Sequence, residues 1–336
     1  MPLLNLWQTS LPGSSNEVTS VLVNQTGVYY AGSSGCVYLL DCLKGSVLAM
    51  NTLSGIGDHE VRLAQPQDGS LLLVGTNGYV LGLNPASLNT SWQTSLPDCG
   101  YDVVSVLCAN GSVFAGCNGY VYRLHQGTGE VLSANSLAGR GDHEVRLGIS
   151  LDFSTFFVGI NGYALGMDPT NLTTSWETSL PGCGYGITSI IGGVKVAYAG
   201  CNGQVYQLQE STGSVLHQNG LSGAGEDEVR MALDPTAAHL YVGTNGYGIG
   251  LHPDNLATAY SVSLPGSGYS VTDVVASNEV AFFANNGYVF QLDVAGNVDD
   301  KNSLVGSGSH ETRLAITATR LFVGINGYTL GLVGNF

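Results

Sequence analysis

Eight near-copies of a unit of about 42 residues, the length of one propeller blade, run through this chain of 336 residues. Each is centred on an Asn-Gly-type turn between two alternating apolar runs, and no segment keeps a helical period. Together these observations predict an all-β fold, an eight-bladed β-propeller. The turn glycines are Gly35, Gly78, Gly119, Gly162, Gly203, Gly246, Gly287 and Gly327, so the spacing alternates between 43 and 41 residues before a final 40. The alternation makes the true unit a pair of blades, repeated four times.

The first element is the segment 5–12. Its Trp7-Gln8-Thr9-Ser10-Leu11-Pro12 repeats Trp92-Gln93-Thr94-Ser95-Leu96-Pro97, which is the fourth strand of another copy. The last copy begins near residue 307 and stops at Leu332 after its third strand, so the N-terminal strand is expected to complete that blade and leave no open edge. Residues 1–336 then form one propeller domain. Within each copy, runs such as 61–64 or 103–107 supply the first strand. Runs 71–76 and 79–83 supply a hairpin, because Asn77-Gly78 between them suits a tight turn with φ > 0 at both central residues. Runs such as 91–95 or 131–135 supply the fourth strand.

The segment Gly119-Tyr120-Val121-Tyr122-Arg123-Leu124, followed by Gly127-Thr128-Gly129-Glu130-Val131-Leu132, resembles the repeat of the PQQ-like propellers. That family includes eight-bladed quinoprotein dehydrogenases and bacterial outer-membrane assembly scaffolds. The resemblance implies a blade-docking role for Trp7, Trp92 and Trp176, with Tyr260 in the fourth place. The family's enzymes hold their quinone with a disulfide between adjacent cysteines, a stacking tryptophan, an aspartate base and calcium ligands on inserted segments. This chain has no Cys-Cys pair, only those three tryptophans and no insertions. No quinone, other cofactor or enzymatic activity is therefore expected.

Composition narrows the remaining classes. A net charge of -15 with three lysines disfavours nucleic acid as a partner, and no apolar run is long enough for membrane insertion. Charged residues make up 10% of the chain, and 48 glycines serve turns and close strand packing. No export signal precedes the strand at residue 5 in this numbering.

Seven cysteines are present. Cys99 and Cys117 are 18 apart, as are Cys183 and Cys201, in equivalent places of two alternate blades. In the other two blades of that type both positions change together, to Ser14 and Ser33 and to Ser267 and Asn285. One member precedes the first strand and the other ends the adjacent antiparallel strand, which predicts two disulfides and leaves Cys36, Cys42 and Cys108 unpaired. Disulfides place the chain outside cells or in the secretory pathway. Sequons begin at Asn24, Asn89, Asn110 and Asn171, all in loops expected to open on one face of the disc, and are candidate N-glycosylation sites.

The opposite face holds the Asn-Gly turns and the links between blades. In alternate blades the link runs into Asp58-His59-Glu60-Val61-Arg62, Asp142-His143-Glu144-Val145-Arg146, Glu226-Asp227-Glu228-Val229-Arg230 and His310-Glu311-Thr312-Arg313. Glu and Arg two apart on a strand share a face. They are expected to pair as Glu60 with Arg62, Glu144 with Arg146, Glu228 with Arg230 and Glu311 with Arg313, on a side facing the neighbouring blade. Links into the other blades carry Tyr101, Tyr185 and Tyr269. Carboxylates that accept from hydroxyls, beside tyrosine faces that cover apolar sugar edges, suit carbohydrate. The candidate ligand-binding set is Asp58, His59, Glu60, Tyr101, Asp142, His143, Glu144, Tyr185, Asp227, Glu228, Tyr269, His310 and Glu311. No segment has metal-ligand spacing, so no metal is assigned. These features predict a multivalent, lectin-like binder of glycans or glycoproteins. The alternative is a non-catalytic scaffold, self-assembling or docking a protein partner on the face opposite the sequons.

Overall fold

The computed structural model describes residues 2–334 apart from 16, 25, 58, 267, 269 and 279. Thirty-two strands in these residues form eight four-stranded antiparallel sheets, and none of the described residues is helical. Blade 1 runs Ser20–Val23, Tyr29–Ser33, Cys36–Leu40 and Val47–Asn51. The innermost strands of blades 2 to 7 are Arg62–Ala64, Ser105–Ala109, Arg146–Ile149, Ser189–Gly192, Arg230–Leu233 and Asp273–Ala276. Blade 8 consists of Arg313–Thr317, Arg320–Ile325 and Tyr328–Val333, with Leu4–Ser10 as its outer strand. There Thr9 pairs with Thr329 and Ser10 with Tyr328, so the start of the chain is hydrogen-bonded into the sheet built by its end.

The hairpin turns follow from their sequence. Asn77 and Gly78 have φ of 49° and 76°, the left-handed pair that matches strand twist. The turn asparagine has a second use. Nδ2 of Asn118 donates to Asp98 O at 2.8 Å, Asn202 to Gly182 O at 2.9 Å and Asn245 to Ala224 O at 2.8 Å, tying each turn to the link that enters its own blade.

Blades dock through two contacts. On the second strand, Gly75, Gly159, Gly243 and Gly324 of the even blades lie against backbone carbonyls of Val104, Thr188, Thr272 and Thr19 in the next blade. In odd blades the partner is a side chain instead: Gly32, Gly116 and Gly200 face Val61, Val145 and Val229. Near the rim, Trp92 covers Gly82 of its own blade and Gly129 of the next, while its Nε1 donates to Gln126 O at 3.0 Å. Trp176 treats Gly166, Gly213 and Glu210 O the same way, and Tyr260 covers Gly250 and Gly296. Buried apolar clusters fill each seam; one joins Trp92, Val104, Val113 and Tyr122.

The first strand begins later than its apolar run. Val103 and Val104 precede the strand, whose pairing opens at Ser105 opposite Gly116, because the link is still held by Gly78 N donating to Asp102 O.

Candidate functional site

The repeated Glu and Arg meet on the axis. Arg62 Nε lies 2.9 Å from Glu60 Oε1, and its Nη2 lies 2.5 Å from Glu144 Oε1 in blade 4. Arg146 contacts Glu144 at 2.7 Å and Glu228 of blade 6 at 2.7 Å. Arg230 contacts Glu228 at 2.9 Å and Glu311 of blade 8 at 2.7 Å, and Arg313 contacts Glu311 at 2.5 Å and returns to Glu60 at 3.4 Å. The circuit is closed. Each arginine bridges its own glutamate to that of the next even blade, with side chains 8% to 21% exposed.

This geometry corrects the expected direction of the pairs. Val61, between Glu60 and Arg62, is fully buried and fills the seam against Gly32 of blade 1, so its two neighbours must point the other way, into the channel. The expected pairs form within each even blade, but they line the channel instead of a seam, and each arginine adds a bridge to the next even blade around the axis.

The odd blades complete the layer. In register with the arginines stand Ser20, Ser105, Ser189 and Asp273, which pair with Gly32, Gly116, Gly200 and Ala284. Ser105 accepts from Arg62 Nη1 at 2.8 Å. Asp273 accepts from Arg230 Nη1 at 3.3 Å and, through its other oxygen, from Leu314 N at 2.8 Å. Asp273 was not singled out from the sequence. Its signal is that blade 7 alone places a carboxylate where the other odd blades have serine. A space of about 290 Å³ beside the ring is lined by Ser20, Ser105, Arg146, Asp273 and Arg313 among others.

Burial and pairing compete in the ring. Burial alone would raise Glu228, but Arg230 and Arg146 outweigh it and hold the carboxyl below its ordinary value. For Glu311 burial wins over Arg230, with Glu228 and Glu60 adding repulsion, and its pKa is raised. Asp273 is also raised, by burial, against the pull of Arg230. Arg230 lies above its ordinary value because Glu228, Glu311 and Asp273 overcome its burial. Arg146 lies below, through burial and then Arg62.

The glutamates are thus committed to the ring. On the link face, Tyr101 and Tyr185 occupy equivalent positions and are 82% and 83% exposed. His59, Asp142, His143 and His310 are exposed on the links into even blades; Asp227 is partly buried and accepts from Glu228 N at 2.7 Å. Asp58 and Tyr269 lie outside the described residues. Among the described residues, no group of three or more His, Cys, Asp or Glu is arranged to hold a metal.

Cys99 is bonded to Cys117 and Cys183 to Cys201, with Cα separations of 5.5 and 5.3 Å, and Cys36, Cys42 and Cys108 are free. Both bridges tie a link to the end of a second strand. Blade 1 uses hydrogen bonds there: Ser14 Oγ donates to Leu11 O at 2.7 Å and Ser33 Oγ accepts from Thr19 Oγ1 at 3.4 Å. In blade 7, Asn285 Nδ2 donates to Ser270 O and to Thr272 Oγ1, both at 2.7 Å.

The four sequon asparagines sit on loops at the opposite end of the blades. Asn89, Asn110 and Asn171 are exposed, and Asn24 is partly buried, its Oδ1 accepting from Thr26 N at 3.0 Å and Val28 N at 2.8 Å.

These features define an eight-bladed propeller whose channel is crossed by a closed ring of charge. No protein-family model matches the chain, and no curated protein does. Solved structures of the same fold are numerous. BamB from Moraxella catarrhalis is 13% identical with a TM-score of 0.73, covering 99% of this chain and 100% of its own. Sqt1 of Saccharomyces cerevisiae is 14% identical at 0.81, with both chains covered in full. A quinohemoprotein alcohol dehydrogenase from Comamonas testosteroni is 14% identical at 0.76, covering 99% of this chain and 76% of its own. At such identities the likeness is one of fold. The two disulfides are consistent with an oxidising extracellular environment, and no helix among the described residues is long and apolar enough to cross a membrane.

Proposed function

We propose that this chain is a non-catalytic binding protein that uses its link face to engage a repeated carbohydrate ligand. The observation that carries this reading is the exposure of Tyr101 and Tyr185, 82% and 83%, at equivalent places in two blades. Two large aromatic faces left in water at a fixed spacing gain from covering the apolar edges of sugar rings. The exposed Asp142 and His143 lie on the link next in sequence after that of Tyr101 and supply hydroxyl partners. Several weak contacts on one rigid disc add through avidity. Glu60, Glu144, Glu228 and Glu311 are left out of this ligand set because each serves two guanidiniums. We read the chain as an offshoot of the PQQ-like propellers without their quinone site, acting outside cells on glycans or glycoproteins and not on nucleic acid or membranes.

A glycan array probed with the labelled protein tests this. Binding to a related group of glycans, reduced stepwise by Tyr101→Ala and Tyr185→Ala in protein of unchanged melting temperature, is the expected result. A blank array from folded protein overturns it and leaves the scaffold reading, in which the same tyrosines contact a protein.

A further inference from the structure

The face opposite the links carries a broad hollow of about 1500 Å³ over blades 1 to 4, lined by Leu22, Tyr30, Leu43, Gln65, Asn110 and Phe153 among others. Two of these side chains break the internal repeat, and both break it toward exposed apolar surface. Phe153 sits in the loop after the first strand of blade 4, with φ of 61°. Its equivalents are Gly69 in blade 2, φ 65°, and Ala237 in blade 6, φ 55°. A left-handed backbone suits glycine and strains a bulky side chain, at a cost on the order of a tenfold shift in the folding equilibrium. Phe153 is nonetheless 39% exposed and belongs to none of the buried clusters, so packing does not repay that strain. Leu43 stands where blade 3 has Gly127 and blade 5 has Ser211, and is 58% exposed. In a chain of near-copies, two such departures that line one hollow mark a contact surface.

We infer that this hollow binds an apolar polypeptide segment carrying a basic side chain. Its volume exceeds the roughly 300–1,000 Å³ of small-molecule pockets, which favours an extended chain. The lining mixes apolar groups with the amides of Gln65, Gln67 and Gln126, which suit a peptide backbone. Its ionised side chains are Asp41 and Asp68, both acidic. Asp68 is held below the ordinary carboxylate value by hydrogen bonds from Ser70, so it stays charged. Asp41 Oδ1 accepts from Leu43 N at 2.7 Å and Lys44 N at 3.1 Å, which ties the carboxylate to the loop that presents Leu43. The site is separate from the link face and stands whether or not that face binds sugar.

Fluorescence anisotropy with short labelled peptides rich in Leu and Phe, one bearing Lys and its twin bearing Glu, tests the inference. The Lys peptide should bind in the micromolar range and the Glu twin about tenfold more weakly. Phe153→Gly should weaken the Lys peptide by about tenfold while the melting temperature holds or rises, because glycine relaxes the left-handed backbone. Leu43→Ser should weaken it as well. Equal affinity of the twins, unchanged affinity in Phe153→Gly, or no binding by either peptide overturns the proposal. A purely structural role for Phe153 predicts the opposite stability change.

Discussion

Arg313 Nη2 lies 3.4 Å from Glu60 Oε1, and this longest of the ring's contacts joins blade 8 to blade 2 across 253 positions of sequence. It is the link that closes the circuit. Every other Glu–Arg bridge in the ring is 2.9 Å or shorter. Glu228 and Arg230 are the most buried, each 8% exposed.

Removing a central member should therefore cost more than opening the closing link. Glu228→Gln leaves Arg146 and Arg230 short of a charge and should lose about 3 kcal/mol, as breaking a buried pair does. Arg313→Met should lose about half as much. Urea unfolding followed by tryptophan fluorescence gives both values, and equal losses would contradict a graded ring.

Acid should act in two stages. The raised pKa values of Asp273 and Glu311 mean that the folded state takes up their protons more readily than the unfolded chain, so falling pH favours the fold as it passes through their range. Glu228 is lowered, so its contribution is full above the ordinary value of 4.5 and is lost as pH drops through the folded one. Melting temperature should hold or rise slightly from neutral to about pH 5, then fall steeply below about pH 4. In Glu228→Gln the steep limb should flatten.

The blade seams predict an alternating cost of added volume. A methyl at Gly159 meets the Thr188 carbonyl, which cannot move without its strand, whereas one at Gly116 meets the Val145 side chain. Blade 7 already carries Ala284 at this place. Gly159→Ala should destabilise by about 3 kcal/mol and Gly116→Ala by about 1 kcal/mol in denaturant titrations.

Thiol counting addresses the bridges. Denatured, unreduced protein should expose three thiols, those of Cys36, Cys42 and Cys108. Replacing Cys183 and Cys201 together by serine should cost about 3 kcal/mol for a loop of this length. A count of seven would remove the case for an oxidising compartment.

Much of this molecule was legible in its spacing. Eight turn glycines gave eight blades, and cysteines that vary in pairs gave both disulfides, because periodicity fixes which residues become neighbours. The ring was half legible. Alternation put Glu60 and Arg62 on one face, but only the packing of Val61 against Gly32 says which way that face turns. Asp273 hid among serines, since a single carboxylate gains meaning only from the arginine opposite it. Phe153 was invisible as a strained residue, because a turn's handedness is set by backbone geometry that its own side chain opposes.

The charge circuit also sets a rule of parity. Arginine and glutamate come from even blades alone, and the tryptophan or tyrosine clasp binds each even blade to the odd one after it. A chain that lost or gained one blade would set two blades of the same kind side by side and break both patterns at once. Growth or shrinkage of this propeller must therefore proceed by whole pairs, and even a lost pair would leave a triangle where the guanidiniums now span a square. Eight is the count at which this particular set of side chains meets itself.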